Sequence, residues 1–193
     1  SEDTSVALSI TTVDAGGSEG ISSVEIADIP SGAVLSAGSD SGLTVTLDGS
    51  TATITGSNSD GSFKDADLTS LADGGLSILP TEDSGVDFTL HVSSTATDTD
   101  LDTGAKTTAT SGPADLVVTV SAVADAPDLS VSAEQTSEDT AVALKITADD
   151  IDVDGSEVIS SVEISGIPSG AELSAGTDSG LTVTLSEDGS TAT

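Results

Sequence analysis

The sequence predicts an all-β protein made of tandem β-sandwich modules, with one short helix in the first module. Three observations carry this reading. Apolar and polar residues alternate over short runs, which is the period of a half-buried strand. Gly, Ser, Asp and Pro punctuate the gaps between those runs, and these are turn-forming residues. Long blocks of sequence occur twice, the mark of a repeat architecture.

The first strand places Val6, Leu8 and Ile10 on one side. Val24 and Ile26 follow, then Leu43, Val45 and Leu47, then a strand over residues 51–54. Residues 63–71 break the alternation. Phe63, Leu68 and Leu71 recur at roughly helical spacing, which predicts a single short helix capping the sandwich. Strands resume at Leu76 and Ile78, at Phe88, Leu90 and Val92, and at Val118 and Val120. His91 has the opposite parity to Leu90, so it is expected on the outer face as a surface residue. Many short strands separated by turn signals at this spacing suit a β-sandwich.

The repeat is explicit. Ser1-Glu2-Asp3-Thr4 returns as Ser137-Glu138-Asp139-Thr140, and residues 21–47 match 159–185 almost letter for letter. Two short insertions separate the copies, one after Thr147 and one at Ser186-Glu187 in a predicted hairpin. The expected organisation is a first module over residues 1–123 that lacks its first strand, a linker over 124–128, and the N-terminal part of a second module over 129–193. Pro127 fixes one backbone angle and lacks a donor, which suits a boundary. A sequence that opens inside a repeat is expected to be a piece of a longer protein.

Composition narrows the function. Three Lys and Arg stand against 34 Asp and Glu, a net charge of −31. Such a charge repels nucleic acid and anionic membrane surfaces and attracts cations. No run approaches the roughly 20 apolar residues of a membrane span. With no Cys, disulfides and thiolate metal sites are excluded. Low aromatic content and high charge favour disorder, but the periodic Val, Leu and Ile favour a folded chain whose folding is helped by metal. No nucleophile elbow, P-loop or zinc-protease motif occurs, and the absence of Trp and Tyr removes sugar-stacking platforms. The expectation is therefore a protein that is not an enzyme.

The acidic residues are clustered. Asp149, Asp150, Asp152 and Asp154 lie in one loop, followed by Glu157; Asp98, Asp100 and Asp102 lie in another; Asp125 and Asp128 flank the connector. Alternate carboxylates on an extended loop point to one side and can converge on a hard cation that takes six to eight oxygens, which predicts Ca²⁺. Neither loop has the twelve-residue EF-hand frame. If strands alternate in direction, Glu2, Asp3, Glu82 and Asp83 fall at one end of the first module. Asp150, Asp152 and Asp154 fall at the facing end of the second, with Asp125 and Asp128 between. Asp98 to Asp102 then lie at the first module's opposite end. The competing reading of every such loop is a solvated turn on a halophile-like surface.

The Ser-Glu-Asp-Thr turn, the run Asp152-Val153-Asp154-Gly155-Ser156-Glu157 and the connector Ala124-Asp125-Ala126-Pro127 resemble the calcium-binding landmarks of cadherin-like modules. The run from Asp87 to Asp100, with the later Leu116 to Pro127 stretch, resembles the tandem extender repeats of giant bacterial RTX adhesins. That resemblance implies Ig-like sandwiches joined end to end, stiffened by Ca²⁺ at their junctions, exported by type I secretion to the cell surface. It implies a spacer that projects a ligand-binding region for adhesion and biofilm formation. It also makes Glu2, Glu138, Asp125, Asp152 and Asp154 candidate ligands. The expected partners are neighbouring modules of the same chain, with the protein itself monomeric. The alternatives are a Ca²⁺-dependent module that binds carbohydrate or protein, and a homophilic adhesion module. Near-identical copying favours the spacer, because a ligand site is usually single.

Overall fold

A computed structural model describes residues 3–13, 19–150, 155, 157–177 and 179–193. The chain divides into two compact units, the first running to Ala124 and the second from Asp125 to Ile151 and from Glu157 to Thr193. Among the described residues both are built from antiparallel strands, and the one helix lies in the first unit.

The first unit contains strands β1 (Val6–Leu8), β2 (Glu19–Ala27), β3 (Val34–Ala37), β4 (Thr44–Asp48) and β5 (Thr51–Thr55). Helix α1 (Asp65–Ala72) follows, then β6 (Leu76–Leu79), β7 (Phe88–Thr99), β8 (Lys106–Thr110) and β9 (Ala114–Val118). One sheet has the order β1-β6-β3. The other runs β4-β5-β2-β7-β8, with β9 also paired to β7. The long β7 thus receives β9 along Phe88 to Val92 and β8 along Thr95 to Thr99.

Both sheets feed one core. Leu8, Leu76 and Ile78 come from the first sheet, while Val24, Ile26, Ile54, Leu90 and Val118 come from the second; all are buried. A register shift between Ile21 and Ser23 in β2 lets Ile21 and Val24 both face inward despite their odd spacing. Leu43 and Val45 pack against the core as their alternation predicts. Leu47 does not: it is 52% exposed, because β4 is an edge strand and Leu47 lies at its hairpin end.

Helix α1 closes the core with Leu71 and is held by Asp67, which is only 3% exposed. The Asp67 carboxylate accepts the Ser57 backbone N–H at 2.7 Å, the Lys64 N–H at 2.9 Å and the Ser57 hydroxyl. Burial pushes its pKa up, but these donors favour the charged form more, and the net direction is down. Gly42, at φ +71°, sits against this carboxylate, and a Cβ there would collide with Asp67 Oδ1.

The second unit contains β10 (Asp128–Ala133), β11 (Leu144–Asp149), β12 (Ile164–Ser165) and β13 (Thr191–Ala192). β10 pairs with β11, and β12 with β13. Ser186-Glu187 lengthens a hairpin here. The Asp188 carboxylate fastens it by accepting the Ser190 N–H, the Ser186 hydroxyl and the Ser190 hydroxyl, which lowers its pKa to about 2.

Candidate metal centre

The aspartates of the two Ser-Glu-Asp-Thr copies share one backbone conformation. Asp3 has φ 58° and Asp139 φ 61°, the left-handed region that non-glycine residues enter at a cost of roughly 1 kcal/mol. In the first unit a second left-handed aspartate, Asp83 at φ 51°, stands beside Asp3. The Asp83 N–H donates to Asp3 Oδ1 at 3.3 Å, and the two side chains each present a carboxylate oxygen within 4.8 Å of the other. Asp3 is exposed and Asp83 half-buried; Glu82 is exposed next to them.

This is also the end from which the first unit's chain departs. Phe88 at the start of β7 pairs with Val118 at the end of β9, and Asp87 Oδ1 accepts the Val120 N–H at 2.8 Å. Gly85 packs so closely on Ala122 that an added Cβ would lie 3.0 Å from the Ala122 Cβ. Asp125 lies one peptide bond beyond Ala124, the last residue of this unit.

At the opposite end of β7, Asp98 pairs with Glu19 and Thr107. Ten residues of strand separate it from Phe88, roughly 30 Å at strand rise, so Asp98, Asp100 and Asp102 belong to a different end from Asp3 and Asp83. Among the described residues their carboxylates do not gather into one ligand set. Asp100 Oδ1 instead turns back to accept the Thr103 and Asp102 N–H groups at 2.8 and 2.9 Å, capping the turn into β8. Those bonds, with the Thr103 side chain, hold its pKa below the usual carboxylate range.

In the second unit, Asp128 and Asp149 stand directly opposite across β10 and β11, and Asp150 follows. The Asp125 N–H donates to Glu157 Oε1 at 2.9 Å. Glu157 is a member of this set that the sequence reading left out of its ligands, although it closes the same acidic run. Glu138 lies beyond the other end of the β10–β11 pair, past Ala133 and before Leu144. Glu2, Asp152 and Asp154 lie outside the described residues.

The donors at both ends are carboxylate oxygens. This set suits a hard cation such as Ca²⁺, which takes oxygen ligands and tolerates irregular geometry. It does not suit metals that prefer sulfur or imidazole. The one histidine, His91, is engaged elsewhere, with Nδ1 2.7 Å from Asp28 Oδ2 and Nε2 3.4 Å from Asp115 Oδ1.

Comparison with family models, curated proteins and solved structures finds no match.

Proposed function

We propose that this chain is a structural spacer from a bacterial cell-surface adhesin, built of tandem Ig-like β-sandwich modules whose junctions Ca²⁺ stiffens. The observation that carries the reading is the pair of left-handed aspartates, Asp3 and Asp83, at the end from which the chain leaves the first unit. Two carboxylates held side by side repel one another, and a hard cation between them offsets that repulsion. Asp125 and Asp128 lie on the connecting sequence, and Asp149, Asp150 and Glu157 are further carboxylates of the second unit. Bare, these groups repel one another. Ca²⁺ offsets that repulsion and fixes the angle of a short connector. The copied sequence supports a spacer over a single ligand site, and the resemblance to RTX extender repeats implies export to the cell surface.

Calorimetric titration of the chain with CaCl₂ tests this. Saturable binding is expected, with at least one site lost in Asp3→Asn/Asp83→Asn. Scattering profiles should lengthen on adding Ca²⁺ and shorten in EDTA. A chain that binds no Ca²⁺, or whose profile ignores chelation, would sink the proposal.

A further inference from the structure

The tripeptide Asp-Gly-Ser stands at three turns among the described residues: Asp48-Gly49-Ser50, Asp60-Gly61-Ser62 and Asp188-Gly189-Ser190. In two of them the glycine N–H and the aspartate carboxylate are both engaged. The Gly61 N–H donates to the Asn58 carbonyl at 2.9 Å, and the Asp60 carboxylate accepts the Ser62 hydroxyl at 2.7 Å and the Ser62 N–H at 3.1 Å. The Gly189 N–H donates to the Ser186 carbonyl at 2.9 Å, and the Asp188 carboxylate accepts the Ser190 N–H and the Ser186 and Ser190 hydroxyls. The remaining turn differs. Gly49 and Ser50 form the two-residue turn between β4 and β5, with Gly49 at φ 63°. Asp48 and Gly49 are exposed, and among the described residues neither the Asp48 carboxylate nor the Gly49 N–H has a hydrogen-bond partner. Nothing lies within 4 Å of the place a Gly49 Cβ would take. A further Asp-Gly pair, Asp73-Gly74, ends α1 and is held on both sides: the Asp73 N–H donates to the Thr69 carbonyl, the Gly75 N–H to the Ser70 carbonyl, and a Cβ on Gly74 would lie 3.1 Å from the Ala7 Cβ.

We propose that Asp48-Gly49 is a site of spontaneous backbone modification to isoaspartate, and that the fold directs this reaction there and away from Asp60 and Asp188. The Gly49 amide nitrogen attacks Cγ of Asp48 in its neutral acid form. An N–Cγ bond forms, and the amide proton leaves with the carboxyl hydroxyl as water, giving a cyclic imide. Water then adds to one of the two imide carbonyls. Breaking the N–Cγ bond restores aspartate. Breaking the bond to the main-chain carbonyl leaves the chain running through Cγ, which is isoaspartate, with its carboxylate now on the α-carbon. Glycine favours the attack because no Cβ crowds the approach. At Asp60 and Asp188 the same approach must first break the glycine N–H bond and the carboxylate bonds. The Ser62 hydroxyl and N–H also hold the Asp60 pKa below the usual carboxylate range, and the Ser190 N–H and Ser186 hydroxyl hold that of Asp188 at about 2, so their neutral acids are scarce. The modification has a structural consequence at Asp48. It adds a carbon to the main chain beside a turn that sets Asp48 opposite Thr51, and turn length fixes hairpin register. β4, an edge strand, then loosens from β5.

The test is peptide mapping of the full chain aged in warm, mildly alkaline buffer, with isoaspartate read by an isoaspartate-specific methyltransferase and by fragmentation of each peptide. Isoaspartate is expected to accumulate at Asp48 about tenfold or more faster than at Asp60 or Asp188, because hydrogen bonds must break first at the latter two. In concentrated urea the three rates should converge, since the three tripeptides are identical. Asp48→Glu keeps the charge but would have to close a larger ring, so it should abolish the reaction at that position. In the aged fraction, amides of Thr44–Asp48 should exchange faster while β2 and β7 keep their protection. Equal native rates at the three turns, or faster reaction at Asp60 or Asp188, overturn the proposal. A preference for Asp48 that persists unchanged in urea also overturns it, by placing the cause in the local sequence and not in the fold.

Discussion

Leu90 and His91 are neighbours on β7 with opposite fates. Leu90 is fully buried, whereas the His91 side chain is 43% exposed and faces Asp28 and Asp115. Leu90→Ala should therefore cost roughly 2–5 kcal/mol through the cavity it leaves. His91→Ala should cost less than about 1 kcal/mol, because it removes only screened surface contacts. Urea melts that gave equal losses would overturn the strand register. Period-two alternation made both positions legible in the sequence; Asp28 was not. It sits at φ 62°, where the second copy has Gly166 at φ 74°, so one position takes a left-handed turn with either residue. Asp67 was equally hidden, because nothing in its neighbours marks a buried carboxylate. Its folded pKa is depressed, so its stabilisation is present above the unfolded-state value and is lost as pH falls through the lower folded value. Asp67→Asn should weaken the protein at neutral pH by about 1–3 kcal/mol. It should also remove part of the acid-side loss, measured as a flatter dependence of the urea midpoint on pH below the ordinary carboxylate range.

At the scale of elements, the apolar strands and the helix of the first unit were readable because they present an inward face of Leu, Ile, Val or Phe. β3 and β8 were not anticipated. β8 is exposed along its whole length and carries Thr107, Thr108 and Thr110 in place of an apolar face, so alternation has nothing to report. It is held instead by main-chain pairing to β7 and by contacts such as the Thr95 and Thr110 hydroxyls at 2.9 Å. The acidic run at Asp98 to Asp102 shows the limit of spacing as a guide. Alternate carboxylates do start on one side of an extended chain, but Asp100 bends back to bind backbone N–H groups, and the convergence is not made among the described residues. That bond has a local consequence. Asp100→Ala should release the turn between β7 and β8, so amides of Lys106–Thr110 should exchange faster while the melting temperature barely changes, since β8 contributes nothing to the core. Loss of protection across β2 and β5 as well would show that the hairpin and the core open together.

For the whole molecule the governing quantity is a net charge of −31, which opposes compaction wherever counter-ions are scarce. Two physical answers to that charge are distinguishable. Dissolved salt screens exposed carboxylates without regard to geometry. A bound cation acts only where oxygens converge in the folded chain, so it stabilises by mass action, about 2.7 kcal/mol at 100 times its dissociation constant. The proposed pair of Asp3 and Asp83 predicts the second behaviour on top of the first. Melting temperature should rise in millimolar CaCl₂ beyond the rise in NaCl of matched ionic strength. MgCl₂ should fall short of CaCl₂, because Mg²⁺ demands a tight octahedron and releases its water reluctantly. Asp3→Asn with Asp83→Asn should erase most of the Ca²⁺ increment and leave the NaCl response intact, since two charges among so many hardly alter the screening. If NaCl stabilises as well as CaCl₂, the acidic turns are a solvated surface, and the paired left-handed aspartates need a different explanation.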